Sequence, residues 1–305
     1  MTRAAEATFE VDVDLQAPLD LRSSLRPFGR WGDDGIDRWD GSVLARTLRV
    51  DDEVVPIAGH VVGEVARPVL RVMMPAAARQ SAAAVVDAVS QTFVPVPAEL
   101  AALAAADERV ARLAKAYPGI VPVLVTDAFS ALIRSISAQQ VNLTWAATIR
   151  RRLAERYGTR HEIAGTYVYS LHAEPLSRAT VEELRALQLT TAKARSVIAV
   201  AEAGVAGELK RRDLAALGDE ELITYLTRLR GIGRWSAEWF LARTLGRPRV
   251  VAGDLGVRKA VGHLYESGPL PSEDEVRGLT AHWGASATIV QALALHELAR
   301  TQGSA

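Results

Sequence analysis

Leu229-Arg230-Gly231-Ile232-Gly233-Arg234-Trp235-Ser236-Ala237 is the stretch on which the fold turns. An amphipathic helix precedes it, with Leu222, Ile223, Leu226 and Leu229 on one face. A second helix follows, with Ala237, Phe240, Leu241 and Thr244 at helical spacing, closed by Gly246 and Pro248. Two glycines flanking one aliphatic residue allow a tight turn in which backbone amides stand clear of side chains, while Ile232 tucks back between the helices. Amides at the start of the second helix, helped by its dipole, then make a cradle for a phosphate. A plain αα-hairpin, whose glycines only end one helix and begin the next, fits the same nine residues.

Charge and a single acid favour the first reading. From Arg228 to Lys259 there are eight bases and two acids, a local balance of +6 in a chain whose 36 basic and 36 acidic side chains cancel. Such concentration suits a polyanion and makes binding salt-dependent. About 20 residues past the hairpin, Val250-Val251-Ala252-Gly253-Asp254-Leu255-Gly256-Val257-Arg258-Lys259 sets one acid between an apolar run and a helix. Asp254 falls at an N-cap, where the dipole and free amides favour its carboxylate; most such aspartates do nothing else. Here, among bases, the anion can stabilise a sugar cation or orient a water for attack. Trp235 and Trp239 lie four apart on one helix face, either as core or as a wall on which a flipped base stacks.

Outward from this segment the chain reads as an α+β region followed by an all-helical one. Phe9, Val11, Val13 and Leu15 alternate with acids, a strand with one buried face. Strand-like runs follow at 42–50, 60–65 and 69–73, then a helix over 76–89 and an extended 93–97. This predicts a small antiparallel sheet with a covering helix. Ala98 to Ala116 reads as one alanine-rich helix. Further helices are predicted around Phe129–Ile136, over Thr144–Tyr157, from Val181 behind a Thr180/Glu183 capping box, behind an Asp219 cap, over Leu255–Tyr265 and over Ala287–Ala299. The expected division is 1–110 and 111–305, with the hairpin at 229–236 and the acid loop at 249–256.

Composition narrows the chemistry. At 305 residues and 49% hydrophobic, the chain can fill a sizeable core. It has no cysteine, which excludes disulfides, iron–sulfur clusters, thiolate zinc and a cysteine nucleophile. No stretch is long and apolar enough to span a membrane, and the N-terminus lacks the apolar core of a signal peptide. A cytoplasmic, nucleoid-associated protein is expected. The histidines show no metal-ligand spacing, and Glu162 and Glu174 read as solvated surface.

The hairpin together with Gly253-Asp254-Leu255 resembles the helix-hairpin-helix/Gly-Pro-Asp DNA glycosylase superfamily. Within it, the chain is most similar to bacterial alkylpurine (3-methyladenine type II) DNA glycosylases. Phe129-Ser130-Ala131-Leu132-Ile133-Arg134-Ser135-Ile136-Ser137-Ala138-Gln139-Gln140-Val141 matches the helix opening that family's catalytic domain, and the N-terminal α+β region fits its appended sheet domain. The resemblance implies Asp254 as the catalytic aspartate, with Trp235, Trp239 and Phe28 lining the base pocket. It implies DNA contacts through Gly231, Gly233, Arg234, Ser236 and Arg258, and a wedge at Leu124 or Val123. It places the carbonyls of Thr227, Leu229 and Ile232 where the family holds a structural Na+ or K+ ion, with no other cofactor required.

Bifunctional members carry lysine where this chain has Trp235, so the expectation is a monofunctional enzyme, with Lys193 and Lys259 as residual amines. Trp283 lies near a further pocket tryptophan of the family, whose aligned position is Ser286. The expected partner is double-stranded DNA with damaged bases, with no membrane and no obligate protein partner, and the chain a monomer. Two other functions stand beside this one: a catalytically weak lesion-binding protein, and a glycosylase for deaminated or oxidised bases.

Overall fold

The computed structural model describes residues 7–50 and 53–303. Its first part is a five-stranded antiparallel sheet: β1 (Thr8–Asp14), β2 (Arg38–Trp39), β3 (Val43–Val50), β4 (Glu53–Val61) and β5 (Val69–Pro75), in the order β1-β5-β4-β3-β2. The alternation in β1 sets its register, with Val13 buried opposite Leu70. Helix α1 (Leu21–Arg30) packs beside β2, and α2 (Ala82–Ser90) covers β1 and β3.

The strand expected at 60–65 is displaced. β4 starts at Glu53 and stops at Val61, and a turn closed between Glu64 and Arg67 follows. The reason is burial on both faces. Residues 55–59 are all buried, so no alternation marks them, and Pro56 argues against a strand when read alone.

The expected single helix over 98–116 is two, α3 (Glu99–Ala106) and α4 (Glu108–Ala116). Asp107 breaks it by taking extended backbone and accepting from the amides of Arg109 and Val110, capping α4. α3 packs on the C-terminal 3-10 turn 281–286, and α4 packs on α15 (Ala287–Thr301). A division at 110/111 would cut α4, so we place the change of domain before α3.

The helical part continues with α5 (Ala128–Ala138), α6 (Leu143–Tyr157), α7 (Ala173–Ser177), α8 (Val181–Ala186), α9 (Thr191–Val205), α10 (Arg211–Ala216), α11 (Asp219–Leu226), α12 (Arg234–Arg243), α13 (Leu255–Tyr265) and α14 (Glu273–Thr280). The Thr180/Glu183 capping box forms as predicted, whereas α11 is entered from Gly218 and Asp219 turns its carboxylate to Arg247. An unforeseen hairpin, β6 (Gly158–Ile163) and β7 (Thr166–Leu171), leaves α6 and lays β7 against β3. Its turn puts Ala164 and Gly165 at φ of 49° and 77°, a geometry that sequence usually announces with Asn-Gly. No helix among the described residues is long and apolar enough to cross a membrane.

Candidate active site

The two hairpin glycines do different jobs. Gly231 has φ of 78°, and a Cβ there would stand 2.0 Å from Ser196 Oγ on α9, so only glycine fits. Gly233 has φ of −99°, and a Cβ there would meet nothing within 4 Å. The space in front of Gly233 is open. Ile232 is buried between the helices, as expected. No side chain caps α12, and among the described residues the amides of Gly233, Arg234, Trp235 and Ser236 have no backbone partner. Free amides at a helix start are the geometry that an anion cradle requires.

Asp254 caps α13, with Oδ1 accepting from the Val257 amide at 3.0 Å. Its other oxygen, Oδ2, accepts from Trp235 Nε1 at 3.2 Å. This single bond joins the acid loop to the first turn of α12, beside the free amides. A Cβ at Gly253 would stand 3.2 Å from Glu273 Oε2 and 3.8 Å from Cδ1 of the same indole. Trp239, half-buried, sits one turn further along α12.

Phe28 comes from α1 and is buried, with the guanidiniums of Arg46 and Arg134 5.8 and 5.7 Å from its ring centre. Those arginines belong to an ion cluster that joins the sheet to the helices. Arg134 on α5 pairs with Asp34 at 2.9 Å and Asp37 at 2.8 Å; Arg150 on α6 pairs with Asp34 at 2.8 Å; Arg46 on β3 pairs with Asp37 at 2.9 Å. Burial alone would push the Asp34 carboxyl up, but Arg134 and Arg150 outweigh it and hold it below its ordinary value. Burial likewise pulls Arg134 down, and Asp34 and Asp37 reverse the sign. Arg243 lies within electrostatic reach of both Arg134 and Asp254, which connects the Phe28 region to the acid. Sequence reading missed this cluster, because Gly32-Asp33-Asp34-Gly35-Ile36-Asp37 looks like any polar loop.

The side chains of three residues expected at DNA are engaged within the fold. Ser236 is buried, accepting from Ser135 Oγ at 2.8 Å and from Gln139 Nε2 at 3.2 Å, so its hydroxyl faces inward. Arg234 spends its guanidinium on Glu238 and Glu220, and Arg258 Nε donates to the Pro271 carbonyl at 2.7 Å. Arg247 and Arg249 also pair with Asp219, and Arg249 with Glu220. The +6 window is thus partly neutralised from α11, which the count from 228 to 259 leaves out. Among the described residues, Arg228, Arg230 and Lys259 are exposed and make no side-chain hydrogen bond or ion pair.

The wedge assignment does not survive. Val123 and Leu124 are 1% and 3% exposed, and the Leu124 amide bonds the Thr92 carbonyl at 2.8 Å. Leu124 lines a cavity of about 390 Å³ together with Leu19, Phe93, Val96 and Arg211, none of which is part of the Asp254 site. A side chain that fills a gap in a duplex must stand free, and these do not. The exposed apolar side chain nearest in sequence to the hairpin's partner turn is Leu143, two residues past Val141; Gln139 of that turn donates to the Gly231 carbonyl at 2.8 Å.

Trp283 is core, stacked on Tyr265 and donating to its hydroxyl at 2.9 Å, while Ser286 is buried with its hydroxyl unpaired. The Lys193 amine donates to the Ser137 carbonyl at 3.0 Å. At the hairpin, the carbonyls of Thr227 and Ile232 accept no hydrogen bond among the described residues, and Leu229's accepts one from the Ile232 amide at 3.1 Å. All three carbonyls thus keep lone pairs without a hydrogen bond among the described residues. No group of three His, Asp or Glu suited to a metal occurs among the described residues.

Comparison with known proteins gives one family model, "HhH-GPD superfamily base excision DNA repair protein", over residues 133–285, just over half of the chain. A DNA-3-methyladenine glycosylase of Bacillus subtilis is 27% identical over 184 residues, covering 59% of this chain and 60% of that one. DNA-3-methyladenine glycosylase 2 of Escherichia coli is 32% identical over 133 residues, 43% of this chain and 46% of its own. The chain thus spans about half the length of the curated relatives it matches. Among solved structures, a 3-methyladenine DNA-glycosylase from Archaeoglobus fulgidus superposes with a TM-score of 0.78 at 25% identity, covering 95% of this chain and 98% of that one.

Proposed function

The chain belongs to the HhH-GPD superfamily of base excision DNA repair proteins, and from that premise we propose that it is a monofunctional DNA glycosylase for alkylated purines of the 3-methyladenine and 7-methylguanine type. The observation that carries this reading is the Trp235–Asp254 hydrogen bond, which fixes a carboxylate beside the uncapped start of α12. The amides of that helix start hold a phosphate, and the target nucleotide is extruded toward Trp235 and Trp239. An alkylated purine is already cationic, so the bond from C1′ to its nitrogen breaks with the electron pair leaving on the base. Asp254 stabilises the cationic sugar that remains. Water then adds at C1′ and its proton passes to the carboxylate, leaving an intact abasic site.

The hairpin carbonyls of Thr227, Leu229 and Ile232 would hold a Na+ or K+ ion, which supplies rigidity to the turn. The monofunctional reading is supported by the indole at 235, and by Lys193 being tied to a backbone carbonyl. Partners and state follow as part of the proposal: damaged double-stranded DNA, a monomer, and a cytoplasmic, nucleoid-associated place.

The test incubates duplexes carrying single defined lesions and measures free-base release, then alkali-sensitive nicking. Asp254→Asn keeps an oxygen to accept from the Val257 amide, turns an amino group toward Trp235 Nε1, and removes the charge; it should lose release by roughly 100-fold or more while retaining DNA affinity. Turnover surviving in that variant would end this mechanism. Borohydride trapping of a protein–DNA adduct by the unaltered protein would end the monofunctional assignment.

A further inference from the structure

Helix α12 carries three long side chains at intervals of four: Trp235, Trp239 and Arg243. That spacing lines them along one stripe, and the Trp235–Asp254 bond shows which way the stripe faces at its start. Arg243 lies eight residues beyond Trp235, about 12 Å deeper along the helix. Its surroundings are unusual. The residue keeps part of its surface accessible, and partial burial of its guanidinium, with the neighbouring Arg134 charge, pulls its pKa down to about 10 against the opposing pull of Asp254. Arg134, Arg150 and Arg46 each have a carboxylate within 3 Å. Arg243 has no ion pair and no side-chain hydrogen bond among the described residues. Leaving a guanidinium largely withdrawn from water without a partner is costly, and the cost is recovered when a ligand brings an acceptor.

We propose that Arg243 is a specificity-determining residue that donates hydrogen bonds to a carbonyl oxygen of the extruded base, so that purines with a 6-oxo group are preferred over those with a 6-amino group. The inference rests on the glycosylase reading above and names its substrate class. A guanidinium offers only donors. The 6-oxo edge of 7-methylguanine or hypoxanthine meets it with an acceptor, whereas the 6-amino group of 3-methyladenine meets it with another donor and leaves the arginine unpaired. Arg134 cannot take this part, because Asp34 and Asp37 already occupy it.

The experiment compares the unaltered protein with Arg243→Met, which keeps length without donors, and Arg243→Lys, which keeps charge without the planar fork. Each is incubated with methylated genomic DNA and with a duplex bearing one hypoxanthine, and released 7-methylguanine, hypoxanthine and 3-methyladenine are quantified under single-turnover conditions. Thermal melting and affinity for undamaged duplex are measured alongside. R243M should lower release of the two 6-oxo bases roughly ten- to a hundred-fold, the scale of one lost charge-assisted hydrogen bond, with 3-methyladenine release changed by less than about threefold. R243K should recover part of the loss. Equal loss for all three bases, or no loss for any, overturns the assignment while leaving the glycosylase reading intact. An unaltered protein that binds DNA but releases none of the three overturns both. Should R243M fail to fold, the ratio of 7-methylguanine to 3-methyladenine released by R243K decides the question: a fall supports the assignment, and an unchanged ratio overturns it.

Discussion

Replacing Asp34 by asparagine should unlock the sheet from the helices. Asp34 Oδ2 sits 2.9 Å from Arg134 and 2.8 Å from Arg150, while Oδ1 accepts from the amides of Ile36 and Asp37 at 3.0 Å each. Asparagine retains an acceptor for the amides but removes the charge facing two buried guanidiniums. Breaking a buried pair from one side costs about 3–5 kcal/mol. Arg134 keeps Asp37 at 2.8 Å, so the lower half of that range is expected, about 3 kcal/mol. For a chain somewhat larger than those with known shifts of about 2–4 °C per kcal/mol, this is a fall of about 6 °C in the melting temperature. Differential scanning calorimetry at neutral pH measures it.

Acid should act on the same group. The folded-state pKa of Asp34 is depressed below its ordinary value of 3.8, so its contribution is fully present above that value and is lost as the pH falls below it. The unaltered protein should therefore lose more stability than the asparagine variant between about pH 4 and pH 2, the interval from the ordinary carboxyl value of 3.8 down to the folded value of about 2. A variant that melts within about 1 °C of the original, with the same acid dependence, would show that the cluster does not clamp the two parts.

Two further outcomes separate fold from grip at the hairpin. Gly233→Leu should leave the melting temperature nearly unchanged, because its Cβ enters open space, and should weaken affinity for all duplex sequences alike, by about tenfold in a filter-binding or anisotropy assay. Gly231→Ala should instead destabilise the fold, because Ser196 Oγ stands 2.0 Å from the new Cβ; equal melting temperatures for the two variants would contradict that difference. Arg228→Ala and Arg230→Ala should each lower the slope of log affinity against log salt by about one, whereas Arg249→Ala, whose charge is met by Asp219 and Glu220, should barely alter it. Identical slopes for all three variants would mean the ion pairs of Arg249 open on DNA.

Much of the site was legible because its chemistry is local. The glycine pair, the acid at the head of α13 and the tryptophan stripe on α12 all lie within a 30-residue window, where backbone geometry follows from residue type and spacing. The β1 alternation and the Thr180/Glu183 box were readable for the same reason. What escaped is non-local. Asp34 and Arg134 are 100 residues apart, and neither is distinguishable alone from a solvated surface charge. The partners of Arg234, Arg247 and Arg249 come from the first turn of α11 and from Glu238, so counting charge along the chain overstated the free positive surface. β4 was misplaced because a strand buried on both faces loses its period. Val123 and Leu124 were assigned to the wedge by position in a matched segment, but exposure is decided by what packs on that segment, here the 90–96 stretch.

The ion cluster also limits how far the molecule can be trimmed. Deleting residues before α3 to obtain a minimal helical unit would strand Arg134 and Arg150 with no counterion, converting a satisfied interior into the costliest kind of protein surface to fold around. Anyone miniaturising this scaffold would have to swap both arginines for apolar residues of similar bulk, and would lose Phe28 with the deleted segment.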